Sequence, residues 1–237
     1  MTRLGFESRF VRLEPLSLDH VDALVAVATA DRSTFELAPV PRDHAEMVAY
    51  VASALADEQA GRALPYVIFT GNPGRVPVPS ALAPAGEARL RSGDLGEVVG
   101  SIRFMSLEWW TWPPGPISVA GEPRRADAGE PPDVAEIGHA WLVPSAQRTA
   151  VFTASALHLL AHAFDTWRVH RLVLKTDARN ARSRAAIERL GGRFEGVLRA
   201  HLPAADGRVR DTAMFSIVRD EWAGVRKRLE SALGGPL

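Results

Sequence analysis

The chain has no cysteine. That excludes a disulfide framework, a thiolate nucleophile and any metal site built on Cys ligands, and it fits a reducing compartment. It also has no net charge: 28 Lys and Arg balance 28 Asp and Glu. No global field therefore recruits nucleic acid. The N-terminus lacks an apolar signal core, and no run is long enough to span a bilayer, so the expectation is a soluble cytoplasmic protein with no membrane partner. Tyrosine is scarce, with only Tyr50 and Tyr66. No internal repeat is visible. What remains is ordinary for one sizeable globular core: 237 residues, 46% hydrophobic and 24% charged. Arginine greatly outnumbers lysine, but the arginines are scattered among acids and read as solvated faces and salt bridges.

Arg9 to Leu16 alternates apolar and polar residues and reads as a strand ended by Pro15. Ser17 or Asp19 can cap a helix carrying Val21, Leu24, Val25 and Ala28. Asp43 caps a second helix with Met47, Val48, Val51 and Leu55 on one stripe and Gly61 past its end. Tyr66 to Phe69 and Glu97 to Met105 read as strands, joined through the Gly/Pro/Ala-rich segment Gly71–Gly96. Trp109, Trp110 and Trp112 stand just before Pro113 and Pro114. Three tryptophans this close do not fit a periodic core face. They read either as a loop packed on its own domain or as an aromatic wall for a substrate or partner. The Gly/Pro-rich stretch up to Asp133 reads as a second insertion.

The organising stretch is Glu136 to Gly192. It reads as a strand to Pro144, a polar turn, a helix to Trp167, a strand from Arg171 to Thr176, a turn through Asn180 and a helix stopped by Gly191. A strand that runs into a helix N-terminus is an anion site, because free backbone N–H groups and the positive end of the dipole point the same way. His158 and His162 lie one helical turn apart, but without a further acidic or His ligand they read as solvent-side histidines and not a metal pair. Ser183 heads an inward stripe with Ile187 and Leu190. Two strands, Arg193 to His201 and Arg208 to Val218, follow around an Asp206-Gly207 hairpin signal, and Asp220 caps a last helix. The element order suggests one mixed α/β domain spanning 1–237, with loop insertions at about 71–96 and 106–135.

Glu136-Ile137-Gly138-His139, Pro144-Ser145-Ala146-Gln147-Arg148-Thr149, the run from Lys175 to Gly191 and Gly207-Arg208-Val209-Arg210-Asp211-Thr212-Ala213-Met214 together resemble the GNAT superfamily of acyl-CoA-dependent N-acetyltransferases, in its Rim-type branch. The resemblance covers the C-terminal half densely and the N-terminal half by element order. It implies a GNAT fold: a central twisted mixed sheet of about seven strands with helices on both faces. It also implies acetyl-CoA as acyl donor, no metal, a primary-amine acceptor (a protein N-terminus or a small amine), direct attack on the thioester, and a homodimer.

The residues so implied for the acyl-CoA site are Leu142 and Val143 of the strand, Gln147, Arg148, Thr149, Ala150, Val151 and Phe152 of the pyrophosphate loop, and Asn180 and Ser183 of the next turn and helix. The family loop, Gln/Arg-x-x-Gly-x-Gly/Ala, has Ala150 at its usual glycine and Phe152 at its third small or polar position. A methyl and a ring thus stand where a phosphate should approach closely, and if the loop needs a left-handed or crowded conformation, binding weakens. That departure supports a different reading, a catalytically weakened GNAT-fold binding or interaction module. Ser183 resembles the hydroxyl that protonates the departing thiolate, or it bonds its own helix. Asn180 also reads as a helix N-cap. Glu136 and His139 are the candidates for the proton acceptor. Strict alternation puts them on opposite strand faces unless a bulge intervenes, and the competing structural readings are a strand-end salt bridge for Glu136 and a hydrogen-bonded core residue for His139.

Overall fold

The computed structural model describes residues 4–71, 96–112 and 131–237. The greater part of both expected loop insertions, 72–95 and 113–130, lies outside the described residues.

Eight strands form one sheet in the order β1-β2-β3-β4-β5-β6-β8-β7. β1 (Phe6–Glu7) is a two-residue edge piece; β2 is Val11–Pro15, β3 Leu64–Thr70, β4 Val98–Glu108, β5 Val134–Leu142, β6 Arg171–Asp177, β7 Arg193–Pro203 and β8 Val209–Val218. Every neighbouring pair is antiparallel except β5–β6, which is parallel. The helices are α1 (Val21–Ala30), α2 (His44–Gln59), α3 (Ala150–Ala161, running on as a π-helical turn His162–Trp167), α4 (Ala181–Leu190) and α5 (Arg219–Ala232). None among the described residues is long and apolar enough to cross a membrane.

Local chemistry sets the helix ends. The Asp43 carboxylate accepts from the Glu46 N–H at 2.8 Å and starts α2. Gly191 ends α4 at φ 101°, a left-handed conformation that glycine adopts without a Cβ clash. α5 starts two residues earlier than expected. Val218 is the cap, its N–H bonded to the Glu221 carboxylate, and Asp220 sits inside the first turn. On α2 the buried stripe is Met47, Val51 and Ala54, while Val48 is 38% exposed. Helical phase excludes Val48 from that face despite its apolar side chain.

The period-two alternation of β4 divides the sheet into two faces. Ile102 and Phe104 point to α3: the Phe104 ring lies 4.5 Å from Trp167 and 6.1 Å from His162. Ser101 and Arg103 point to α2, where Tyr50 contacts both. His158 and His162 are half-buried instead of solvent-side, with rings 5.6 and 5.5 Å from Phe6. On α3, Leu157 and Leu160 are buried.

His158 carries a stability consequence. Its Nε2 is buried without a hydrogen-bond partner, and desolvation lowers its pKa from 6.5 to about 4. Between those values the unfolded chain binds a proton that the folded chain refuses, so this contribution is present above pH 6.5 and is lost as the pH falls towards 4. Denaturant unfolding across this window should give a shallower pH dependence for His158→Leu than for the native chain. Equal slopes would contradict the assignment.

Candidate functional site

β5 and β6 pair only from Val134↔Arg171 to Glu136↔Val173. Beyond that point each strand follows its outer neighbour: β5 stays with β4 as far as Leu142, and β6 stays with β8 as far as Asp177. The two strands splay apart, and a cavity of about 380 Å³ lies at that end of the sheet. The N-termini of α3 and α4 flank it, as do Trp141 and Leu142 at the end of β5.

The loop entering α3 is shaped by one residue. Arg148 adopts φ 62°, the left-handed region. This turns the chain so that Thr149 caps α3: its hydroxyl donates to the Ala146 carbonyl at 2.7 Å and accepts from the Val151 N–H at 3.2 Å. Ala150 and Phe152 occupy the first turn, where helix geometry leaves their amides without an i−4 acceptor. The feared demand at Ala150 is therefore absent. The left-handed residue lies two positions earlier, and Ala150 is an ordinary helical residue. Gln147 ties the walls together. Its amide nitrogen donates to the Leu142 carbonyl and the Thr34 hydroxyl, each at 2.8 Å, and its amide oxygen accepts from Arg182 at 3.2 Å. Asn180 accepts from the Ser183 N–H at 3.0 Å, the expected N-cap.

Of the residues implied for the acyl-CoA site, Leu142, Gln147, Arg148, Thr149, Phe152, Asn180 and Ser183 line the cavity. Val143, Ala150 and Val151 do not; Val143 is held in the sheet by its N–H to the Val99 carbonyl. Sequence reasoning missed two groups. One comes from the segment after α1, where Thr34, Phe35 and Ala38 line the far wall and the Phe35 ring meets Trp141 edge-on at 5.9 Å. The other is Arg182 and Arg189 on α4, which make the wall cationic together with Arg148. Arg182, Ala186 and Arg189 follow helical spacing, a signal present in the sequence.

Glu136 and His139 lie outside the cavity lining, on the α2-facing side of the sheet. They are not on opposite faces. Gly138 pairs with Arg103 and Trp141 with Ser101, so β5 has one extra residue in this interval, and His139 takes φ 45°. The bulge turns His139 towards the Tyr50 ring, 6.1 Å away. His139 is exposed and not a core residue. Desolvation by its surroundings, followed by the positive charges of Arg103, Arg210 and Lys175, lowers its pKa to about 4. Glu136 is 3% exposed. It pairs with Lys175 at 2.8 Å and accepts from the Ser106 hydroxyl at 2.9 Å, a salt bridge within the strand and not at its end. Among the described residues no cluster of His, Asp or Glu is assembled for a metal.

The tryptophan run is elsewhere. Trp110 stacks on His170 with centroids 5.3 Å apart, and its backbone N–H donates to the Asp133 carboxylate at 2.8 Å. Both partners immediately precede the starts of β5 and β6, whereas the cavity lies at the strands' other ends. Trp110 and Trp112 thus pack against His170, Trp109 and Trp110 remain 50% and 42% exposed, and none of the three lines the cavity.

The match to a family model settles the affiliation: residues 11–193 fit the acetyltransferase (GNAT) domain. This chain belongs to the GNAT acetyltransferase family. A 90-residue segment is 31% identical to YdaF of Bacillus subtilis (strain 168), to which ribosomal N-acetyltransferase activity is ascribed; the match spans 38% of this chain and 48% of YdaF, about half its length. Across the whole fold the chain resembles a GCN5-related N-acetyltransferase from Brucella melitensis, with TM-score 0.69, 25% identity and coverage of 98% of this chain and 86% of that one. Mycobacterium smegmatis RimJ, solved with CoA-disulfide, shares the fold at TM-score 0.65 and 22% identity over 94% of this chain and 88% of that one. The Rim-type resemblance read from the sequence agrees with these relatives.

Because Ala150 is helical, Ala150→Gly should leave acetyl-CoA affinity within about twofold and lower the unfolding free energy by up to about 1 kcal/mol. Calorimetric titration and denaturant unfolding measure the two effects. A tenfold gain in affinity would show that the GNAT glycine is needed after all.

Proposed function

We propose that this GNAT acetyltransferase moves an acetyl group from acetyl-CoA to a primary amine by direct attack. The observation that carries the reading is the cavity at the β5–β6 splay, where two helix N-termini and Arg148, Arg182 and Arg189 converge. Free helical amides and guanidinium groups suit the phosphates of CoA. The Gln147, Thr149 and Asn180 hydrogen bonds keep that loop and turn in place before the ligand arrives.

The reaction follows from the neighbouring groups. The pantetheine arm enters the gap between β5 and β6, so that the thioester carbonyl can accept an N–H from the edge of β5 that β6 no longer covers. The neutral amine attacks the carbonyl carbon, the C–S bond breaks, and the departing thiolate takes a proton relayed by the Ser183 hydroxyl, which lines the cavity and draws a replacement proton from water as it gives its own. The amine's proton leaves through water past His139, which with a pKa of about 4 hands it on to solvent instead of holding it. His139 is neutral at pH 7 and exposed, whereas Glu136 is already engaged by Lys175 and Ser106. The acceptor class is a protein N-terminus or a small amine, and the setting is cytoplasmic. The homodimer that the family resemblance implies has a suitable surface in the edge strand β7, where Phe194, Val197 and Leu198 are 43–49% exposed.

Calorimetric titration with acetyl-CoA should show one saturable event per chain. Replacing both Arg182 and Arg189 by Gln should weaken it by about tenfold at low salt and less at high salt. Silence from micromolar to millimolar ligand would overturn the proposal.

A further inference from the structure

The face of the sheet beside the splay carries more positive charge than it can neutralise. Arg103 of β4 is 4% exposed. Its Nε is buried with no hydrogen-bond partner, and its contact is the Tyr50 ring, 4.7 Å from the guanidinium carbon. Arg210 of β8 is half-buried and donates from Nε to the Thr212 hydroxyl at 3.0 Å. Neither guanidinium has a carboxylate within ion-pair distance among the described residues. The nearby acids are committed: Glu136 to Lys175 at 2.8 Å, and Asp177 to Arg179, which also holds Asp206 at 2.7 Å.

These cations share one place. β-Ladder register puts Arg103 opposite Gly138, next to the bulged His139, while Lys175 and Asp177 pair across β6–β8 with Met214 and Thr212, on the same side as Arg210. Arg103, Arg210 and Lys175 all depress the His139 proton affinity, against the opposing charge of Asp57, itself paired with Arg62 at 2.7 Å, so their fields meet at that ring. A buried guanidinium without an acceptor is costly, and an anion bound beside it would offset that cost. The field there repels a polycation and attracts an anion. It also favours the neutral form of an amine, which is the form that attacks.

We propose that the amine acceptor carries a carboxylate close to its amino group, and that Arg103 and Arg210 hold this carboxylate beside His139. The inference rests on the N-acetyltransferase reading above. It deepens that reading by excluding polyamines and simple alkylamines as preferred acceptors. The carboxylate can belong to a free amino acid or to the acidic first residue of a peptide, and the test separates the two.

The experiment is equilibrium binding to the CoA-loaded chain, which cannot turn over, using matched pairs: alanine against isopropylamine, and a short peptide beginning with Asp against the same peptide beginning with Asn. The acid member of at least one pair should bind about tenfold more tightly. Preference in the first pair alone identifies a small acceptor; preference in the second identifies a peptide. Arg103→Gln should abolish the preference and Arg103→Lys should restore part of it. Because Arg103 is buried and its loss can disturb folding, Arg210→Gln, at a half-buried position, serves as a second variant and should reduce the same preference by at least threefold. Equal binding within both pairs, or binding by no member of either, overturns the inference. Failure of CoA itself to bind would instead overturn the acetyltransferase reading, and the two failures are read separately.

Discussion

The structure depends on a short parallel ladder that stops. Among the described residues β5 and β6 are the only parallel pair, and their pairing ends at Glu136↔Val173. Past that point backbone N–H and C=O groups on the facing edges need other partners. Each strand is held by a different neighbour. β5 is drawn along β4 by the bulge at His139, and β6 is fixed to β8, with the Ala178 N–H bonded to the Asp211 carbonyl at 2.9 Å. The Asp177–Arg179–Asp206 chain of ion pairs then ties the end of β6 to the β7–β8 turn. The gap is thus a product of the sheet's own connectivity.

The two sides of the gap have different chemistry. One is a cavity with helix N-termini, capped by Thr149 and Asn180 and lined by arginines. The other is the α2-facing sheet surface, where Tyr50, Arg103, His139 and Lys175 gather. A cavity lined by arginines and helix N-termini and a polar, cation-rich surface meeting at one strand edge suit the division of labour of a two-substrate transfer.

Much of this was legible in the sequence, and the failures have identifiable physical causes. Asp43, Asn180 and Gly191 act through local hydrogen bonding and local sterics, so their caps were readable from residue type. The succession of strands along the chain, apart from the two-residue β1, followed from periodicity, whereas their order in the sheet did not. What depended on backbone dihedrals was hidden: nothing in the letters requires His139 or Arg148 to take positive φ, yet those two residues decide the side of the sheet on which His139 lies and where the left-handed turn of the loop falls. Charge partners across strands were equally hidden. The Glu136–Lys175 pair and the unpaired Arg103 are separated in sequence and are joined only by register. The cationic face of α4, by contrast, was present as a spacing and was passed over. His158 and His162 were misread because solvent exposure was inferred from residue type, whereas β1 brings Phe6 over both rings.

The central claim is that the β5–β6 gap receives the acyl donor. Amide hydrogen exchange with and without acetyl-CoA tests it most directly. The account predicts added protection in residues 137–142 and 148–153 and at the start of α4, with little change at Trp109–Trp112 and the starts of β5 and β6. Protection concentrated at the tryptophan end, with the gap unchanged in the presence of saturating ligand, would contradict it.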